Sequence, residues 1–175
     1  MAGGTYHVVS RGNRKEAIFL TDGDRELFLE LTSRVARKRK WLVHAYCLMP
    51  NHYHLLLETP SPDLSAGMQE INGAYGAWFN RLHGLVGHLF QGRFKAFAVE
   101  SDGHLLHLTR YIARNPVRAR LCSAPGDWRW SSFSETIGTR HRRSLSSENV
   151  LGFFGDDPRR AREIFRRFVE ESSTY

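Results

Sequence analysis

Residues 1–135 read as an α+β sandwich, helices packed on one central antiparallel sheet, and three features of the sequence say so. A β-branched alternation at residues 5–10 (TYHVVS) leads into a helical pattern. Two apolar runs, residues 41–49 (WLVHAYCLM) and 52–58 (HYHLLLE), meet at Pro50-Asn51, as the arms of a hairpin do. A long helical pattern and a shorter one then flank an alternating stretch at about residues 93–99. The resulting order, β-α-β-β-α-β-α, is that of a ferredoxin-like sandwich, with the helices expected on one face of the sheet. Residues 136–175 read as a basic C-terminal extension containing a further helix.

Each element has a local cause. The first strand ends at the turn formers Arg11-Gly12-Asn13. Residues 21–40 open with Thr and Asp, carry Leu27, Phe28, Leu31 and Val35 at helical spacing, and close on RKRK, so their charges complement the helix dipole. Residues 41–49 are apolar on both faces and too short for a free-standing helix, which makes them a central strand. After the loop TPSPDLS, Leu64, Met68, Ile71, Tyr75, Phe79 and Leu82 step by threes and fours to about residue 83. Asp102-Gly103 is expected to cap a helix that Pro116 ends or kinks. APGDWRWSSF is a turn whose aromatics dock on the domain, and residues 134–147 read as loop. A last helix starts at Asp157-Pro158, with Ile164, Phe165 and Phe168 expected inward and the arginines outward.

Composition narrows the function. The 175 residues, 41% hydrophobic and 12% aromatic, are enough to bury a core. No apolar run approaches the roughly 20 residues that cross a bilayer, and the first residues lack a signal-peptide pattern, so a cytoplasmic protein is expected. Cys47 and Cys122 fit neither a disulfide framework nor a four-cysteine zinc site. The net charge of +7 gathers in arginine-bearing clusters at 37–40, 110–120, 140–143 and 159–167. Guanidinium forks bind phosphate oxygens in pairs, so nucleic acid is the first partner to expect, against the alternative of merely solvated helix faces. The glycines form no P-loop or GxGxxG, so no nucleotide cofactor is expected.

The chemistry centres on MPNHYHLLLE. Strand side chains alternate, so His52, His54, Leu56 and Glu58 share one face, expected to be open, and Tyr53, Leu55 and Leu57 the other, expected to be core. The two imidazoles are close enough to hold one cation, and equally able to be half-buried hydrogen-bonded groups. On the third helix, with Leu105, Leu108 and Ile112 inward, His104, His107, Tyr111, Asn115 and Arg118 form a stripe at the rim of the core. Spacing alone leaves Tyr111 open between a reactive phenol and a packed rim ring, and Asn115 between a ligand and a cap.

PNHYHLLL followed by RYIARNPVRA resembles the HUH superfamily of single-tyrosine DNA-nicking enzymes. Within it the chain looks most like the REP-associated tyrosine transposases, relatives of the single-tyrosine transposases of insertion sequences. The matching stretches are YHVVSRGN, YCLMPNHYHLLL, LFQGRFKAFAVE, YIARNPVRARL and WRWSSF, in family order through the first 135 residues or so. The resemblance implies that His52 and His54 are paired metal ligands, that Asn115 is the third, and that Tyr111 is the nucleophile. It implies one Mg²⁺ or Mn²⁺ ion, a covalent 5′-phosphotyrosine intermediate, and a monomer, with a dimer as the alternative. The implied substrate is single-stranded DNA bearing hairpins of the repetitive extragenic palindrome type. Arg11, Asn13, Arg14, Lys15, Arg93, Lys95, Arg114, Arg118, Arg142 and Arg143 are the candidate DNA contacts, and His107 and Glu58 candidate bases. The alternatives are a catalytically silent hairpin-binding regulator, an HUH replication initiator or relaxase, and a phosphodiesterase that uses water.

Overall fold

The computed structural model describes residues 3–140 and 147–171. Four strands, β1 (Gly4–Arg11), β2 (Leu42–Met49), β3 (His52–Thr59) and β4 (Lys95–Ala98), form one antiparallel sheet in the order β2-β3-β1-β4. Five α-helices are described: α1 (Asp22–Arg39), α2 (Leu64–His83), α3 (Asp102–Arg118), α4 (Phe133–Thr136) and α5 (Pro158–Glu170). Through α3 the elements follow the expected ferredoxin-like order.

The hairpin alternation sorts side chains as its periodicity requires. Tyr53, Leu55 and Leu57 are fully buried with Val8, Tyr46 and Leu48 in a core that also takes Phe28, Val35, Ile71, Tyr75 and Phe79 from α1 and α2. Phe28 sits at its centre, 4.6 Å from the Tyr53 ring and 5.2 Å from that of Tyr75. The Tyr53 hydroxyl donates to Asn72 Oδ1 at 2.8 Å, so its burial strands no polar group.

The opposite face departs from expectation. It is covered over β2 and the middle of β3, where Ala45, Cys47, Met49 and Leu56 form a second core with Leu105, Ile112 and Ala113 of α3, Phe133 of α4, Val150 and Leu151, and Ala161, Phe165 and Val169 of α5, and stays open toward β4. The sheet is therefore packed on both sides. The physical reason lies in β2, whose residues from Val43 to Met49 are all buried, so that both its faces need cover. Residues 133–136, read as turn and loop, are a short buried helix, and Ser147–Phe154 is a 3-10 helix that the sequence pattern did not reveal. Asp157 caps α5 as expected, its Oδ1 accepting from the backbone N–H groups of Arg159 and Arg160. Ala161, Phe165 and Val169 make its inward stripe, and Ile164, expected inward, is exposed.

Two helix ends are sharper than the sequence pattern. Ser101, one residue before the expected cap, accepts from the His104 N–H, and α3 runs through Pro116 to Arg118 without ending there. At the start of α1, Thr21 and Asp24 form a reciprocal capping box. Asp24 is fully buried, and its carboxylate accepts from the N–H groups of Leu20 and Thr21 and from His83 Nε2 of α2, at 2.7, 2.7 and 2.9 Å. Burial alone would raise its pKa, but these donors hold it below the ordinary carboxylate value. The stability it contributes is therefore present above the unfolded carboxylate range and lost only as pH falls through the lower folded value. Asp24→Ala is expected to cost about 2–3 kcal/mol, read as a lower denaturation midpoint with an unchanged slope, because it strands two buried donors and the His83 ring. A loss under about 0.5 kcal/mol would show that water replaces the carboxylate.

Candidate active site

The register of the sheet assembles the site. Arg11 stands opposite His52, Val9 opposite His54, His7 opposite both Leu56 and Phe97, and Lys95 opposite Val9. Directly opposed residues share a face, so His52, His54, His7, Arg11, Lys95 and Phe97 all stand on the α3 side of the sheet. They line a cleft of about 760 Å³ together with Tyr111 and Asn115 of α3, which lie one helical turn apart. Residues 52–54 and 111–115 thus meet in one place, as the alternation and the helix phase together require.

The histidines are arranged as a chain. The His52 and His54 rings are 5.0 Å apart and nearly perpendicular. His52 Nδ1 lies 2.7 Å from the Asn51 side-chain oxygen, an acceptor only, so Nδ1 carries the proton and Nε2 keeps its lone pair. His54 is 4% exposed. Its Nδ1 lies 2.9 Å from Nε2 of His7, on which its ring also stacks, while its own Nε2 is buried without a hydrogen-bond partner. A proton on His54 Nδ1, shared with His7, leaves Nε2 as an acceptor aimed at nothing in the protein. Burial first, then Arg11, lowers the pKa of His52 to about 4. Burial, then His52, His7 and Arg11, lowers that of His54 to about 3. Burial and the neighbouring His104 lower that of His7 to about 4. All three imidazoles are neutral at physiological pH, the form in which imidazole donates to a cation.

Tyr111 is half-buried, its ring edge-on to His54 at 5.7 Å and to His7 at 6.2 Å. The Arg118 guanidinium lies over the same ring at 5.3 Å. Among the described residues no three His, Cys, Asp or Glu side chains converge as a metal cage, and Asn115 is an amide that lines the cleft beside the two imidazoles.

The candidate DNA contacts divide. Arg11, Arg93 and Lys95 are exposed on the cleft wall. Arg14 and Lys15 are exposed in a turn with left-handed backbone at both residues, φ 52° and 63°. That turn is fastened by Asn51 Nδ2 donating to the Lys15 carbonyl and by the Asn13 N–H donating to Leu89. Gly12 is obligatory at its root, since a Cβ there would lie 2.1 Å from the Glu16 carbonyl oxygen. Asn13 lines an adjoining hollow of about 810 Å³ between α2 and residues 87–94, which shares Gln91, Gly92 and Arg93 with the cleft. Arg118 lies on Tyr111. Arg114 is not brought to the cleft: its Nη1 donates to the Val169 and Glu170 carbonyls at the C-terminus of α5. Arg142 and Arg143 lie outside the described residues. In the cluster at 37–40, Lys38 and Arg39 pair with Glu70, and Arg39 also with Asp63, so that cluster is partly neutralised within the protein. Of the two candidate bases, Glu58 pairs with His44 at the far end of β3, and His107 is exposed and does not line the cleft.

His7 is the site residue that sequence reasoning missed. Its own strand gave no partner for it, and the signal lay in the register: the residue opposite Leu56 on β1 is diagonal to His54.

The family described as "Transposase IS200 like" matches residues 2–115. A REP-associated tyrosine transposase of Escherichia coli (strain K12) is 26% identical over 138 residues, spanning 77% of this chain and 79% of that protein. A solved structure of a REP-associated tyrosine transposase bound to a REP hairpin superposes with a TM-score of 0.66 at 24% identity, covering 78% of this chain and 81% of that one, and shares its fold.

Proposed function

Because the chain belongs to the IS200-like transposase family, we propose that it cuts and rejoins single DNA strands beside hairpins of the REP type, through a covalent bond to Tyr111. The observation that carries this is the convergence of Tyr111 and Asn115 on His52 and His54, with His54 Nε2 buried and unpartnered in the shared cleft.

The residues fit a divalent ion. His52 Nε2, His54 Nε2 and the Asn115 side-chain oxygen would hold it, and a Mn²⁺ or Mg²⁺ ion when bound polarises the scissile phosphate. His7 and Asn51 keep the two imidazoles in the tautomer that leaves Nε2 free, as the outer partners of ligating histidines do. Tyr111 Oη gives its proton to water and attacks phosphorus, the Oη–P bond forms as the P–O3′ bond breaks, and the 3′-oxygen takes a proton from water and leaves as a hydroxyl. Arg118 supplies positive charge where the phenol's negative charge develops. Because phosphotyrosine keeps the phosphodiester's bond energy, a second 3′-hydroxyl can reverse the step and join new ends. The protein would act in the cytoplasm, on exposed single strands.

Incubating the protein with a labelled single-stranded hairpin and Mn²⁺ should give a protein-DNA adduct that survives denaturant, and chelating the metal before the DNA is added should prevent it. Cleavage without an adduct would replace this mechanism by attack of water, and tight binding with neither would make the protein a silent regulator.

A further inference from the structure

Phe97 is 54% exposed, and none of the chemistry above uses it. It stands opposite His7 in the β1–β4 pairing, and its ring centroid lies 6.1 Å from that of His7, which is itself in contact with Tyr111. It therefore lines the cleft from the side away from His52. Lys95 is two residues back on the same face, and Arg93 and Arg11 line the cleft beyond it. All four residues of β4 are exposed and β4 is the outer strand of the sheet, so core packing does not account for an aromatic ring here. A flat apolar ring held on a strand and followed by cations along the same wall is what a single nucleic-acid strand needs. The cations neutralise phosphates, and the ring offers its face to a base. The interior of a duplex cannot use such a ring, because its bases are already stacked on one another.

We propose that Phe97 is a stacking platform for one unpaired nucleobase adjoining the phosphate that Tyr111 attacks, with Lys95 holding a neighbouring phosphate. This rests on the single-strand DNA reading given above. Stacking on a phenyl ring tolerates any base, so Phe97 sets where the strand lies, and sequence is read elsewhere.

Fluorescence anisotropy tests this in the full chain carrying Tyr111→Phe, which binds without cutting. The probes are a labelled blunt DNA hairpin and the same hairpin with a single-stranded thymidine extension. Adding Phe97→Ala should weaken binding of the extended probe roughly 5- to 100-fold, with Phe97→Trp retaining most of it. Binding of the blunt probe should stay within about 2-fold, because the ring touches no duplex. The salt dependence should be unchanged by Phe97→Ala, which removes no charge, whereas Lys95→Ala should lower the slope of log K against log salt by about 0.7. Removing bases one at a time from the extension should reveal one position whose loss costs affinity while Phe97 is present and costs nothing in the Phe97→Ala protein. Equal losses on both probes, or a dimer that Phe97→Ala dissociates in sedimentation, would overturn the proposal, the ring then serving the fold or a second copy. If the parent prefers the extended probe and Phe97→Ala matches it, stacking alone falls. If the parent shows no preference for the extension, the single-strand reading falls and the platform with it.

Discussion

Tyr111→Phe is expected to abolish the covalent adduct and to lower strand cleavage by at least about 10³-fold, with no loss of fold or of DNA affinity. The substitution removes one oxygen and keeps the ring. The contacts of that ring with His54, His7 and Arg118 therefore persist, and thermal melting should move by less than about 2 °C. Denaturing gels of a labelled hairpin with Mn²⁺ read the adduct and the cut strand separately. Cleavage that persists at more than a tenth of the parent rate would remove Tyr111 from the nucleophile's role. The histidines are a weaker test of mechanism. His54→Ala would leave His7 Nε2 buried without its partner, so lost activity would mix any lost function of His54 with lost packing. His52, half-exposed at the rim of the cleft, is the cleaner substitution with which to test the proposed metal site.

The second large effect lies away from the cleft. Phe165→Ala is expected to destabilise the protein by about 3–5 kcal/mol, lowering the melting temperature by roughly 10 °C. Phe165 is buried to 1% exposure against Phe133 of α4 and Phe154 of the 3-10 helix, at ring distances of 6.0 and 5.5 Å, and truncation leaves a cavity between them. Activity should fall with it, because α5 braces α3, the helix that carries Tyr111. Arg110 of α3 donates to the Glu171 carbonyl, Arg114 caps the Val169 and Glu170 carbonyls, and Arg110 lies over Phe168 at 5.3 Å. A cost under about 1 kcal/mol in chemical denaturation would return α5 to the status of a separable extension.

The contrast between these two residues shows where sequence is readable. Period alone places Tyr111: α3 has one apolar stripe, and counting 100° per residue from Leu105 and Ile112 puts Tyr111 and Asn115 at its rim. The hairpin is equally plain, since Pro50-Asn51 fixes the turn and alternation sorts Tyr53 from His54. What period cannot give is a partner distant in sequence. Arg114 reads as a free cation until α5 is folded against it, and the cluster at 37–40 looks basic until Glu70 and Asp63 arrive from α2 and the loop before it. The second core is illegible for a related reason. Val150, Leu151 and Phe154 sit in a 3-10 helix too short to display a repeat, and Phe133 in a four-residue helix. His7 falls in the same class, because its neighbour is set by strand register across 47 residues.

The brace between Arg114 and the end of α5 also orders events in time. A chain emerging from the ribosome can pair β1 with β3 as soon as residue 59 is free, and so brings His7, His52 and His54 together early. Tyr111 gains its full backing only when residues 169–171 arrive to accept the arginines of α3. The unfinished chain thus owns a histidine pocket before α3, with Tyr111 on it, is braced against α5.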